Sequence, residues 1–334
     1  MKRTTIILIM MTVLTTNLCA AIITVDINHP SVGDYITLQE AHDAASPGDT
    51  IYVYPSLTRY DGIHVTKKLN LIGAGFSYDC AVDGVYPSRI SDMYFDAGSA
   101  GSVLKGFEAQ YIKIEANNTK ILNNYCRNVY SYVNLYGLVI MQNMIINTSS
   151  TYLYAVRIIS KNQALISNNI IYNPVNSSIC IYSEGEASLY ISNNVLYSNN
   201  SYALYLNNKT SGMIINNIIL NGSIYGNTIE YHNNMSNSTQ LNNLLGAGNI
   251  GNVDMSKVFV DADNHNYKLK PDSPALGAGY SGEDLGIYGG QSPYVDNGAG
   301  TGLPTIISLT AQPFVPSGNA TMNVKIKATS GSPE

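Results

Sequence analysis

Charge is scarce in this chain, and so are cysteine and histidine. Charged residues fill 12% of its 334 positions. From Asn117 to Ile250 only eight occur: Lys120, Arg127, Arg157, Lys161, Glu184, Glu186, Lys209 and Glu230. The formal net charge is −5. An acidic chain so poor in Lys and Arg has no electrostatic footprint for nucleic acid. It is also handicapped for polyanions unless metal ions intervene. Four cysteines are too few to staple a chain of this length. The five histidines (His29, His42, His64, His232, His265) are scattered, so no His-based metal motif appears. Past the amino terminus, no segment approaches the ~18 apolar residues of a membrane span.

What is present is Asn-Asn or Gln-Asn in front of an apolar run. The rows are Ile121-Leu-Asn-Asn124-Tyr-Cys126, Ile140-Met-Gln-Asn143-Met-Ile145, Ile166-Ser-Asn-Asn169-Ile-Ile171, Ile191-Ser-Asn-Asn194-Val-Leu196 and Ile214-Ile-Asn-Asn217-Ile-Ile219. Ile always stands three before the second Asn. Four after it stand Asn128, Asn147, Asn173, Ser198 and Asn221. Successive anchors are 19, 26, 25 and 23 residues apart, the period of a solenoid. No i, i+3, i+4 stripe supports a helix, whereas short β-branched runs broken by Asn, Gly and Ser read as strands and turns. Equal rows stack as parallel strands, with the Ile columns inward. The anchor Asn is expected at the bend, in the left-handed conformation that Asn tolerates. Its amide both donates and accepts, so a stacked column satisfies itself. Asn-rich composition alone would also suit a disordered segment, but the fixed register argues against that.

These rows resemble those of right-handed parallel β-helix proteins, the pectin-lyase-like superfamily, including its I-x-N-N-x-I repeat type. The string LQEAHDAASPGDTIYVYP followed by VTKKLNLIGAG is similar to the amino-terminal cap and first coils of secreted members. VFVDADNHNYKLKPDSPALGAG with DLGIYGG resembles their closing segment. The resemblance implies an all-β fold: a right-handed parallel β-helix solenoid with an amino-terminal capping helix and a short carboxy-terminal β extension.

In order, residues 1–21 read as a signal peptide. Lys2 and Arg3 start it, Ile6 to Leu14 is its apolar core, and Ala20-Ala21 supplies small residues for cleavage. Its removal takes the net charge to −7. Cys19 raises the alternative of a lipid anchor, but Leu18 before it is not the small residue of such signals. Cys80, Cys126 and Cys180 remain, an odd number, so at least one is unpaired or bonded elsewhere. Cys126 falls in an inward column and reads as a buried small hydrophobe. Residues 22–75 form the cap and first coils. There Thr37-Leu-Gln-Glu40 is a capping box, and Leu38, Ala41, Ala44 and Ala45 are expected over the coil's open end. Residues 76–250 are the coils, expected to fade near Tyr231, where Asn234 and Asn243 lack the flanking apolar residues. Residues 251–294 are expected to cap the far end. Asp261, Asp263 and Asn266 superficially suit a calcium loop, but Asn266 stands where Gly is expected and Asp272 where Glu is. Residues 295–334 are a flexible linker and a strand extension around Val324 to Ala328. That extension either docks on the coil or belongs to a longer chain.

The fold's carbohydrate-active relatives work on one long parallel sheet. Here that sheet is expected to hold 155–159, 179–182 and 203–206. Val156, Ile158, Ile179, Ile181, Leu204 and Leu206 should point inward, and Arg157, Tyr182 and Tyr205 outward as ligand-binding residues. Glu184 and Glu186 are a close carboxylate pair, but they flank Gly185 and read as a solvated turn. The Asp-rich and His-Gly motifs of polygalacturonases are not present. A lyase needs a base and a carboxylate neutraliser, and Arg157 with Lys161 are the candidates. The expected function is a secreted or cell-surface protein that binds a polysaccharide or cell-surface glycan, or serves as a scaffold, without conventional catalysis. The alternative is a polysaccharide lyase acting on uronic-acid polymers. No cofactor is expected, with calcium the alternative.

Overall fold

A computed structural model describes residues 20–76, 86–159, 161–226 and 228–296, with the backbone of strands Thr305–Ala311 and Val324–Thr329. Residues 1–19, expected as part of a signal peptide, Cys80 and most of the expected linker lie outside the described residues. The chain is an all-β parallel β-helix. Sheet A holds ten parallel strands in sequence order, from Ile22–Val25 to Glu230–His232. From strand Lys120–Leu122 onward each coil leaves sheet A through an Asn-Asn or Gln-Asn pair, enters sheet B (such as Ile170–Asn173), then sheet C (such as Ile179–Glu184), and returns. Strand Val195–Leu206 runs through both B and C and joins them.

The expected register is the observed one. Ile121, Ile140, Ile166, Ile191 and Ile214 are paired neighbours in sheet A. Cys126, Ile145, Ile171, Leu196 and Ile219 are paired neighbours in sheet B. All ten are fully buried, each aliphatic side chain stabilising by roughly 1.5–3 kcal/mol. Burial also pushes the Cys126 thiol well above its ordinary pKa. We therefore expect slow labelling of Cys126 in the native protein even at mildly alkaline pH, and fast labelling after denaturation. Rapid native labelling assigned to Cys126 by peptide mapping would contradict the packing.

The two residues of each Asn pair divide the work, and here the sequence expectation needs correction. The left-handed residue is the first of the pair: Asn123, Gln142, Asn168, Asn193, Asn216 and Asn233 have φ between 50° and 59°. The second, the anchor, is not in the left-handed conformation and builds the ladder. The Asn169 backbone N–H and Nδ2 both donate to Asn194 Oδ1, at 2.9 and 3.0 Å. The same pair of bonds joins 124 to 143, 143 to 169, 194 to 217 and 217 to 234.

The ladder does not fade at Tyr231. It continues through Asn234 to Asn249, not to Asn243, which lies in the 3-10 helix Thr239–Asn243. Buried Tyr231 takes the Ile position before Asn234. Gly246 takes it before Asn249, where a Cβ would stand 1.9 Å from the Tyr231 carbonyl oxygen. The backbone repeats after the side-chain pattern has stopped.

At the amino-terminal end, Thr37 and Glu40 form the capping box of helix Leu38–Ala44. Leu38, Ala41 and Ala45 are buried as expected, but Ala44 is exposed and His42 is buried in its place. Positions 38, 41, 42 and 45 form one helical stripe, and 44 lies off it. At the other end, fully buried Leu241 closes the core.

The segment expected to cap that end instead runs back along the side of the coil. The first apolar residue after each anchor (Met144, Ile170, Val195, Ile218, Met235) faces outward from sheet B. Val258, Phe259, Tyr267, Leu285 and Ile287 pack against this column. The left-handed residues hold the strap. Asn233 Nδ2 donates to Ala278 O, Asn216 Oδ1 accepts from Tyr280 N, Asn168 Nδ2 donates to Ile287 O and Gly289 O, and Gln142 Nε2 donates to Pro293 O. Strands Thr305–Ala311 and Val324–Thr329 pair antiparallel.

Candidate functional site

Sheet C carries one outward residue per coil in a single register: His64, Tyr94, Lys113, Tyr130, Arg157, Tyr182, Tyr205 and Tyr225. Strand side chains alternate, so the residues behind them (Val156, Ile158, Ile181, Leu204, Leu206) are buried. Ile179 departs from its expected inward position. It pairs with Tyr154 and is half-exposed, while Cys180 and Ile181 are both buried. The column Ala155, Cys180 and Ala203 is buried in the same way. At this corner two consecutive residues face inward and the alternation breaks.

Arg157, Tyr182 and Tyr205 are thus neighbours on one face. The Tyr182 and Tyr205 rings stack at 5.3 Å, and Tyr205 stacks on Tyr225 at 4.6 Å. The Arg157 guanidinium lies 4.9 Å from the Tyr132 and Tyr154 ring centroids and 5.7 Å from that of Tyr182. Its Nη1 donates to the Tyr132 hydroxyl at 3.3 Å. Its Nε is buried without a hydrogen-bond partner. Cation–π contact fixes the plane of the guanidinium and its outer edge. The Tyr182 hydroxyl donates to Glu184 at 2.8 Å, and burial together with that carboxylate pushes its pKa up to about 12. It acts as a hydrogen-bonding phenol at neutral pH. At the other end of the column, Lys113 pairs with Glu115 at 2.6 Å, and the His64 ring stacks on Tyr94 at 4.5 Å.

Lys161 is not part of this face. It sits past the end of its strand, where Nζ pairs with Glu186 at 2.7 Å. That hydrogen bond raises the Lys161 pKa and lowers that of Glu186. Glu184 and Glu186 therefore serve different partners. Asp261 is tied to Asn264 at 2.8 Å, and Asn266 begins a paired strand. Among the described residues no three His, Cys, Asp or Glu side chains gather as a metal site, and no helix is long and apolar enough to cross a membrane.

The sequence reading missed Tyr130, Tyr132, Tyr154 and Tyr225. The available signal was the number of tyrosines, 26 in the chain, clustered at sheet C strands. They share the coils of the Asn rows, but the spacing between anchors varies from 19 to 26 residues, so the anchors alone do not say which tyrosines come level on sheet C.

No family description matches the chain, and no curated protein matches it in sequence. Among solved structures it is similar to a pectate lyase, Pel9A, with TM-score 0.41 and 14% identity over 80% of this chain and 95% of that one. It is also similar to the pectin methylesterase from Aspergillus niger in deglycosylated form, with TM-score 0.31 and 14% identity over 70% and 87%.

Proposed function

We propose that this chain binds a glycan along the outward column of sheet C and does not cleave it. The observation that carries the reading is the run Arg157, Tyr182, Tyr205 and Tyr225, one ring or guanidinium per coil, with the guanidinium already oriented by its neighbours. Stacked phenols offer apolar faces and hydroxyl tips to sugar rings, and a planar guanidinium holds a carboxylate through two parallel bonds. The favoured ligand is an extended polysaccharide with acidic units. With the signal peptide, the reading places the protein outside the cell or on its surface. The lyase alternative needs a base beside the uronate. Lys161 is a poor one, because its ion pair with Glu186 favours the protonated form.

The test is titration against a panel of neutral and uronic-acid polysaccharides. Arg157→Ala should weaken acidic-glycan binding about tenfold or more, since a hydrogen bond to a charged group contributes roughly 1.5–3 kcal/mol. Lys209→Ala should leave it unchanged. Unsaturated, ultraviolet-absorbing ends appearing in uronate polymers and lost in both Arg157→Ala and Lys161→Ala would establish the lyase alternative instead. No binding and no cleavage across the panel would leave a scaffold.

A further inference from the structure

The outer face of sheet A carries four successive apolar residues of one outward column, flanked by a lysine on one side and a glutamate on the other. One outward column reads Lys120, Val139, Leu165, Tyr190, Met213 and Glu230 on six successive paired strands. Val139, Leu165 and Met213 are half-exposed, and Tyr190 is 44% exposed. Beside them Gln163, Ser188 and Ser211 form an exposed uncharged column. The two columns line a shallow trough of about 580 Å³. Lys120 is exposed and makes no ion pair among the described residues. Glu230 is exposed and accepts one hydrogen bond from His232 Nε2. The His232 Nδ1 accepts from the Ala247 N–H, which turns Nε2 toward Glu230.

The geometry points to a second copy of this chain as the occupant of the stripe, related by a two-fold axis between Leu165 and Tyr190. Such an axis sets each residue of the column against its mirror position. Lys120 then meets Glu230 of the other copy twice per interface. Val139 meets Met213, and Leu165 meets Tyr190, whose ring fits the trough beside it. Strands are about 4.8 Å apart, so the two charged pairs stand about 24 Å apart and fix the register of four apolar side chains between them. The stripe lies on a different sheet from the proposed glycan face, so the two readings stand or fall separately. A dimer formed this way would leave both glycan faces open.

Sedimentation analysis of the full chain across micromolar concentrations tests this. The wild type should dimerise. Lys120→Glu and Glu230→Lys should each raise the dissociation constant about tenfold or more by placing like charges together. The double variant should restore it. Circular dichroism must show all three folded, and the sites are exposed enough to expect that. A wild type that is monomeric throughout overturns the proposal, as does a dimer indifferent to both single variants. Failure of the folded double variant to recover overturns the two-fold pairing. A photoreactive phenylalanine at position 190 supplies an independent readout. Cross-links between copies at the stripe support the dimer, whereas cross-links only to residues 305–329 of the same chain assign the face to the carboxy-terminal strands and overturn it.

Discussion

Asn169→Leu should lower stability by about 2–4 kcal/mol, with the protein still soluble. Asn169 is fully buried. Its Oδ1 accepts from the Asn143 N–H and Asn143 Nδ2, and its Nδ2 donates to Ile140 O and Asn194 Oδ1. Leucine has nearly the right bulk but returns none of these bonds. The Asn143 N–H is left without a partner in the core, and Ile140 O loses a donor. A buried unsatisfied group costs about 1–3 kcal/mol. Asn194 Oδ1 still accepts from the residue 169 N–H, so the damage stays within neighbouring coils. Asn168→Ala should also destabilise, by another route. Alanine is strained at φ 54°, and the two bonds to Ile287 O and Gly289 O disappear. Its distinctive sign should be faster hydrogen exchange in residues 285–290 than Asn169→Leu causes. Asn243→Leu, at an exposed site, should change little. Asn233→Leu is not a neutral control, because Asn233 has φ 50° and bonds the strap at Ala278. Denaturation midpoints of the four variants check the assignment. Equal midpoints for Asn169→Leu and Asn243→Leu would refute the ladder's role.

Leu38→Asp should send the protein into aggregates. Leu38 is 2% exposed, between the capping helix and the first coil. An aspartate there must either ionise in an apolar setting or stay protonated without a designed partner, and both cost several kcal/mol. The helix then detaches, and the first strands offer unpaired edges to other chains. The outward-facing Ala44→Asp is the matched control, since Ala44 is exposed. Size-exclusion chromatography with light scattering separates the outcomes. A soluble Leu38→Asp protein with unchanged melting would show that the helix does not protect that end.

The repeat, the parallel stacking, the inward Ile and Cys126 columns and the capping box were legible in the sequence. Each follows from a local rule: period-two alternation, a fixed offset from Asn, or a three-residue capping spacing. The outward placement of Arg157, Tyr182 and Tyr205 follows from the same alternation. It failed at Ile179 because Cys180 and Ile181 both turn inward at a corner, and corners are set by how three sheets close on one core. The pattern also could not say which Asn of each pair bends the chain and which bonds along the stack. Both are Asn in most rows, and only the path of the backbone separates them. That path also carries the ladder to Asn249 after the Ile column has ended, because backbone and amide bonds repeat without aliphatic neighbours. The strap across sheet B, the tyrosine cage around Arg157 and the pairing of Lys161 with Glu186 all join residues from different coils. Coil lengths vary from row to row, so only the folded stack decides which of them meet.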